Sequence, residues 1–233
     1  MTADELKKQV ASAALDFVSP LVGSSDPKRL VLGIGTGSTV NHFIDLLAQA
    51  GLPFAAAVSS SEASTARLKA HNIRVMSLND VLAESMLLPV YVDGADEVDP
   101  GLSLVKGGGG ALTREKIIAQ AATRFVCIVD ESKLVPILGN FPLPVEVIPM
   151  AVEAVSAQLR SLGGQPVVRA GFTTDNGNQI LDVAGMQISD PVKTEAMVNQ
   201  WPGVVTVGLF ATRRADDCLV AAATGIRHLT PGG

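Results

Sequence analysis

The sequence predicts an α/β fold: a Rossmann-like, mostly parallel sheet with helices on both faces, joined to a smaller ferredoxin-like α+β domain. Three observations carry this prediction. Short aliphatic runs alternate with segments of helical period through the first half of the chain, and glycine-rich or acidic turns stand where those runs end. Between about 143 and 210 the order becomes strand, helix, strand, strand, helix, strand, that of a split βαβ module.

Residues 29–35 form the first aliphatic run. A helical segment follows at 39–50, with Val40, Phe43, Ile44 and Leu47 on one face. The unit repeats. A strand at 54–58 leads to a helix at 62–71, a strand at 90–92 enters an acidic turn, and a helix at 111–122 precedes a strand at 124–129. Such alternation favours right-handed crossovers and a parallel sheet whose ligands bind outside the carboxyl ends of the strands, so the turns are expected to share one edge.

Near Pro136 the pattern changes. Pro142, Pro144 and Pro149 exclude one long helix, and helices are expected at 151–162 and 191–200. Thr174-Asp175-Asn176-Gly177-Asn178 supplies hairpin chemistry between the central strands, with an Asn-Gly pair able to accept positive φ. Residues 217–222 are expected to return as a strand to the first domain. The expected domains are therefore 1–136 with 211–233, and 137–210.

With 233 residues, 47% of them hydrophobic, the chain can bury a real core. A charged fraction of 18% and a net charge of -5 leave no broad basic surface, which argues against nucleic acid or an anionic membrane as partner. Cys127 and Cys218 lie in hydrophobic surroundings without metal-ligand spacing and are expected to be core thiols, in keeping with a reducing compartment. No apolar run approaches the roughly 18 residues that span a bilayer, and the polar start is unlike a signal peptide. A soluble cytoplasmic protein is expected.

Three segments bear chemistry. Gly33-Ile34-Gly35-Thr36-Gly37-Ser38-Thr39 invites comparison with the dinucleotide fingerprint, but Ser38 replaces its third glycine and Ser59-Ser60-Ser61 stands where a ribose-binding carboxylate belongs. No Gly-Lys-Ser/Thr follows, so a Walker loop is excluded as well. What remains is either a phosphate cradle, with amides and the Thr36, Ser38 and Thr39 hydroxyls at a helix N-terminus, or an ordinary turn capped by Thr39.

Asp93, Asp96, Glu97 and Asp99 put four carboxylates in seven residues, either on a solvated loop or held together. Magnesium or acid–base work would explain holding them. Lys106 precedes four glycines, Gly107 to Gly110, an entropically costly run that suggests close backbone approach. Glu115 falls in the first turns of the next helix, near its anion-friendly end. The plainer readings are a capping carboxylate for Glu115 and a surface ammonium for Lys106. Lys133 follows another strand end and adds positive charge there.

These residues resemble ribose-5-phosphate isomerases of the A type. Gly-Thr-Gly-Ser-Thr at 35–39, Ser-Ser-Ser-Glu-Ala-Ser-Thr at 59–65, Tyr-Val-Asp-Gly-Ala-Asp-Glu at 91–97, Lys-Gly-Gly-Gly-Gly-Ala-Leu-Thr-Arg-Glu-Lys at 106–116, Phe-Pro-Leu-Pro-Val-Glu-Val-Ile-Pro at 141–149 and the hairpin at 173–178 occur in the family's order, over nearly the whole chain.

The resemblance implies interconversion of D-ribose 5-phosphate and D-ribulose 5-phosphate in the non-oxidative pentose phosphate pathway, with no metal or organic cofactor and a homodimer or tetramer as the assembly. It implies Glu115 as the base that moves hydrogen between C1 and C2 through an enediolate. Thr36, Gly37, Ser38 and Thr39 match the first substrate loop, and Asp93, Gly94, Ala95 and Asp96 the second. Lys106, Gly107, Gly108 and Gly109 match the third, with Lys133 and Lys7 as further substrate-binding lysines. Chemically, Lys106 and the glycine amides suit a developing oxyanion, while Asp93 would assist ring opening and Asp96 orient hydroxyls. Two competing readings are a CoA transferase, in which Glu115 would be a nucleophile and the Asp-Gly-Ala-Asp loop would have no task, and a sugar-phosphate sensor. The sensor would need an output module, and the stretch before the first strand is too short for a full helix-turn-helix domain.

Overall fold

The computed structural model describes residues 1–23 and 26–232. The first elements are α1 (Ala3–Gly23), β1 (Leu30–Ile34), α2 (Ser38–Ala50), β2 (Ala56–Ser59), α3 (Glu62–Ala70), α4 (Leu78–Ala83) and β3 (Leu87–Asp93). There follow β4 (Glu97–Val98), β5 (Leu104–Val105), α5 (Leu112–Ala121), β6 (Arg124–Asp130), β7 (Leu143–Val147), α6 (Val152–Ser161) and β8 (Gln165–Val168). The last are β9 (Gln179–Ala184), α7 (Pro191–Asn199), β10 (Val204–Val207), β11 (Leu209–Phe210), β12 (Asp217–Ala222) and β13 (Gly225–Leu229).

The fold is α/β, as expected. A six-stranded sheet runs in the order β13-β12-β6-β3-β1-β2. All its pairings are parallel except that of β12 with β13. Every residue of β1 is buried, as a parallel strand covered on both faces must be. Leu30, Leu32 and Ile34 point to one face, where Val10, Ala14, Val18 and Val22 of α1 and Val40, Phe43, Ile44 and Leu47 of α2 complete a core. On the other face, a Cβ added at Gly33 would press on Tyr91 and on Ile118 of α5, so that helix covers the second side. Helix α2 ends at Gly51, whose left-handed φ of 60° closes the C-cap.

A separate four-stranded sheet has the order β10-β7-β9-β8, all antiparallel. Numbered within its own segment this is 4-1-3-2, the order of the split βαβ module read from the sequence. Its core joins Leu143, Val145 and Val147 of β7 to Val155 and Leu159 of α6 and Val198 of α7.

The chain divides into two compact units, 1–94 with 117–131 and 215–233, and 95–116 with 132–214. These limits differ from the expected ones, 1–136 with 211–233 and 137–210. The reason is a third sheet, β11-β5-β4, invisible to periodicity because its strands have two residues each. Leu209 pairs with Val105 and Phe210 with Leu104, which draws 95–116 to the second unit.

This also corrects the expectation that all three turns end strands of the parallel sheet. The turns after β1 and β3 end strands of the parallel sheet, but the Lys106 loop follows β5 of the small antiparallel sheet. At the hairpin, Gly177 alone takes positive φ, at 82°, and Asn176 does not; the Gly177 amide donates to the Thr174 carbonyl at 2.9 Å. Cys127 and Cys218 are buried thiols not joined in a disulfide, as expected of core thiols.

Candidate active site

In the first unit the turn after β1 enters α2 through Gly37, at φ 114°, and no side chain among the described residues caps that helix. Thr39 lies inside the helix, so the reading of it as the cap does not hold. The first amides of α2 and the Ser38 and Thr39 side chains are left to meet an anion, which a helix N-terminus favours. The Thr36 hydroxyl is engaged instead by the protein, with Ser60 Oγ at 2.8 Å and Ser61 Oγ at 2.9 Å. Ser61 caps α3 through the Ser64 amide, and Ser64 Oγ donates to the Gly35 carbonyl at 2.7 Å. The serines that the sequence marked only as a missing ribose carboxylate thus brace the turn from behind.

Asp93 ends β3 with no exposed surface. Its Oδ1 accepts the amides of Thr36 at 3.0 Å and Gly94 at 2.8 Å, and its Oδ2 accepts the Tyr91 hydroxyl at 2.5 Å. Gly35 must be glycine because a Cβ there would overlap this carboxylate. Asp93 therefore holds the turn from within the sheet.

In the second unit the other three clustered carboxylates each meet a different partner. Glu97 is buried and accepts the Gly139 and Phe141 amides, both at 2.7 Å, while Asp99 accepts the Ser103 amide. Asp96, half-buried, accepts the Gly108 amide at 2.8 Å. No group of three or more His, Cys, Asp or Glu side chains able to hold a metal occurs among the described residues.

The glycine run is shaped by the protein itself. A Cβ would crowd Pro144 and Leu112 at Gly107, Asp96 at Gly108, and the Phe172 ring at Gly110, and Gly107 and Gly110 also take φ of 109° and 80°. Arg169 pairs bidentately with Asp182 and donates through Nη1 to the carbonyls of Gly107 and Gly108, each at 3.1 Å. Sequence reasoning missed Arg169 and Phe172, which lie some sixty residues from the loop they support.

Lys106 and Glu115 are both nearly inaccessible, at 3% and 4% exposure, and Lys106 Nζ stands 3.2 Å from Glu115 Oε2. The surface-ammonium reading of Lys106 therefore falls. Lys106 also lies over the Phe210 ring at 5.4 Å, and Lys116 at 4.8 Å. Lys116 Nζ reaches Glu195 Oε1 at 2.5 Å and the Leu209 carbonyl at 2.6 Å. Burial raises the cost of ionising Glu195. The Lys116 charge, its hydrogen bond, and the Thr212 and Ala211 amides outweigh that cost and hold the carboxyl below its ordinary value. Burial correspondingly pulls the Lys116 ammonium down, with Glu195 opposing.

The first turn of α5, which carries Glu115, is clamped on its other side. Thr113 Oγ1 donates to Glu146, a fully buried carboxylate that also accepts from Thr174, Asn176 and Asn178. Arg114 donates to Asn176 Oδ1 at 2.9 Å and to the Asp175 carbonyl at 2.8 Å. The hairpin thus works as a brace for the helix, a role that turn propensity alone does not reveal.

Each predicted residue can now be placed. Lys7 on α1, Thr36 to Thr39, Asp93 and Gly94 belong to the first unit; Ala95, Asp96, Lys106 to Gly109, Glu115 and Lys133 belong to the second. Within the units, the structure brings Asp93 to Thr36, Asp96 to Gly108 and Lys106 to Glu115. Lys133 sits half-buried in the 3-10 turn Glu131–Lys133, and Lys7 is half-buried on its helix.

An uncapped helix start behind a glycine turn and a buried carboxylate–ammonium pair are the parts expected of an α/β enzyme that handles an anionic substrate by acid–base chemistry. The sequence profile of the family described as ribose 5-phosphate isomerase A (phosphoriboisomerase A) matches residues 56–225. A Bordetella petrii protein named ribose-5-phosphate isomerase A is 57% identical over 229 residues, covering 98% of each chain. The crystal structure of ribose 5 phosphate isomerase A from Neisseria gonorrhoeae superposes with a TM-score of 0.91 at 44% identity, covering 100% of this chain and 99% of that one. A D-ribose-5-phosphate isomerase in complex with phospho-erythronic acid superposes with a TM-score of 0.89 at 38% identity, covering 99% of this chain and 100% of that one. The chain belongs to the ribose 5-phosphate isomerase A family and is an isomerase.

Proposed function

We propose that the chain interconverts D-ribose 5-phosphate and D-ribulose 5-phosphate through an enediolate, with Glu115 as general base. The observation that carries this proposal is the buried Lys106–Glu115 pair at 3.2 Å, a carboxylate beside an ammonium in a site almost closed to water. From the open-chain aldose, Glu115 takes the C2 proton; the C–H electrons form the C1=C2 bond and the carbonyl electrons move onto O1. Lys106 and the glycine amides stabilise that oxyanion. Return of the proton to C1, with transfer of the O2 proton to O1, yields the ketose.

In the same proposal Thr36, Gly37, Ser38 and Thr39 receive the phosphate, helped by Lys7 and Lys133. Gly94, Ala95, Gly107, Gly108 and Gly109 line the sugar. Asp93 assists ring opening and Asp96 orients hydroxyls, Asp93 also holding the Thr36 turn through the hydrogen bond it accepts from the Thr36 amide. The relative's complex with phospho-erythronic acid supports an acidic sugar phosphate as a competitor here. We also infer a homodimer or tetramer, a cytoplasmic location and a place in the non-oxidative pentose phosphate pathway; two buried cysteines not joined in a disulfide support a reducing compartment.

The test is to follow ketose formation from ribose 5-phosphate with a chelator present, for the native protein and Glu115→Gln. Turnover should survive the chelator, phospho-erythronic acid should compete, and Glu115→Gln should lose about 100- to 10,000-fold in kcat. An inert native protein would refute the substrate, and an active Glu115→Gln variant would refute the base.

A further inference from the structure

We propose that Arg169 is a positioning residue for catalysis: it turns the Gly108–Gly109 peptide so that the Gly109 amide faces the substrate oxyanion, and its charge polarises that amide. This rests on the isomerase reaction proposed above. Arg169 follows β8, where its own amide donates to the Ile180 carbonyl at 2.8 Å. The guanidinium is set by Asp182, at 2.9 and 2.6 Å, and packs over Phe172 at 5.4 Å. One nitrogen, Nη1, then takes the two successive carbonyls of Gly107 and Gly108, at 3.1 Å each.

Peptide geometry supplies the rest. There are no cis bonds among the described residues, and in a trans peptide the C=O and the following N–H point in opposite directions. The Gly107–Gly108 peptide obeys this visibly, with its oxygen on Arg169 and its N–H on Asp96 at 2.8 Å. The next peptide has its oxygen on the same Nη1, so the Gly109 N–H also points away from the guanidinium. Gly109 is exposed, and its N–H meets no acceptor among the described residues. A cation on the oxygen side of both peptides polarises their N–H groups as donors. Lysine cannot substitute, because it lacks the planar fork that serves a carboxylate and two carbonyls together.

The test is kinetic, with the native protein, Arg169→Met, Arg169→Lys and Arg169→Ala. With ribose 5-phosphate, Arg169→Met and Arg169→Lys should each lose roughly 10- to 100-fold in kcat with KM changed less than about threefold, the size expected for a misdirected oxyanion donor. Millimolar guanidinium ion should restore part of kcat to Arg169→Ala and none to Arg169→Met, a rescue that mere loss of fold would not give. Unchanged kcat, a rise in KM alone, or no rescue in a folded Arg169→Ala would overturn the proposal. The Gly108 and Gly109 amide resonances give a readout independent of turnover. If the native protein were inert, the assigned reaction would fail, and unmoved Gly109 resonances in Arg169→Met would overturn the positioning role separately.

Discussion

Lys116→Met should be among the most damaging single changes outside the catalytic groups. It removes the ammonium that reaches Glu195 at 2.5 Å and the Leu209 carbonyl at 2.6 Å, while methionine keeps most of the volume over Phe210. The Glu195 side chain is 5% exposed and would stay behind with only the Ala211 and Thr212 amides. Removing one partner of a buried pair costs about 3–5 kcal/mol. Because the Lys116 side chain is 19% exposed, water can reach part of the site and the lower end, about 3 kcal/mol, is expected. For a chain of this length that is a fall in Tm of roughly 6–12 °C. The sign of the pH dependence follows from Glu195, whose carboxyl is held below its ordinary 4.5. The pair's contribution is complete above that value and disappears as pH falls through the folded-state value, so native and variant should converge in acid. Urea unfolding of the native protein, Lys116→Met, Glu195→Gln and the double variant, followed by circular dichroism at several pH values, measures both quantities. A loss below about 1 kcal/mol, or a gap that does not change with pH, would place the pair with ordinary surface bridges and refute the reasoning.

Three other outcomes follow from the same structure. Tyr91→Phe deletes the hydroxyl that donates to the buried Asp93 carboxylate and should cost about 1.5–3 kcal/mol by urea unfolding, with KM for ribose 5-phosphate raised because Asp93 holds the Thr36 amide. Gly35→Ala drives a Cβ into that carboxylate and should cost at least about 1–3 kcal/mol; a variant as stable as the native protein would show that the turn can move aside. Asp45 is held below its ordinary 3.8 by the Arg67 hydrogen bonds first, and by His71. Its stabilisation is present above 3.8 and lost as pH falls through the folded value, so by urea unfolding Asp45→Asn should be less stable than the native protein at neutral pH and converge with it in acid.

Much of the architecture was legible because local pattern and tertiary role coincide. Val40, Phe43, Ile44 and Leu47 share a helical face in sequence and are the buried face of α2. The 4-1-3-2 sheet could be read from element order, since short connections leave few topologies. Helix α1 was legible as well, for Val10, Ala14, Val18 and Val22 recur every fourth residue and all are buried. The β4, β5 and β11 strands have no such signal, because a two-residue strand has no period.

The sequence by itself determined the residue types at the candidate site and their order: a glycine turn before a helix, two aspartates three apart, and a lysine with glycines ahead of a glutamate. Chemistry of that kind depends on local spacing, which the chain writes out directly. Only the tertiary structure decided which of those residues are occupied by the protein itself. Asp93 is taken up by the turn of Thr36, Glu97 by the amides of Gly139 and Phe141, and the glycine carbonyls by Arg169. Hydrogen bonds act over about 3 Å whatever the separation along the chain. Partners sixty residues apart are therefore assigned by the sheets that bring them together.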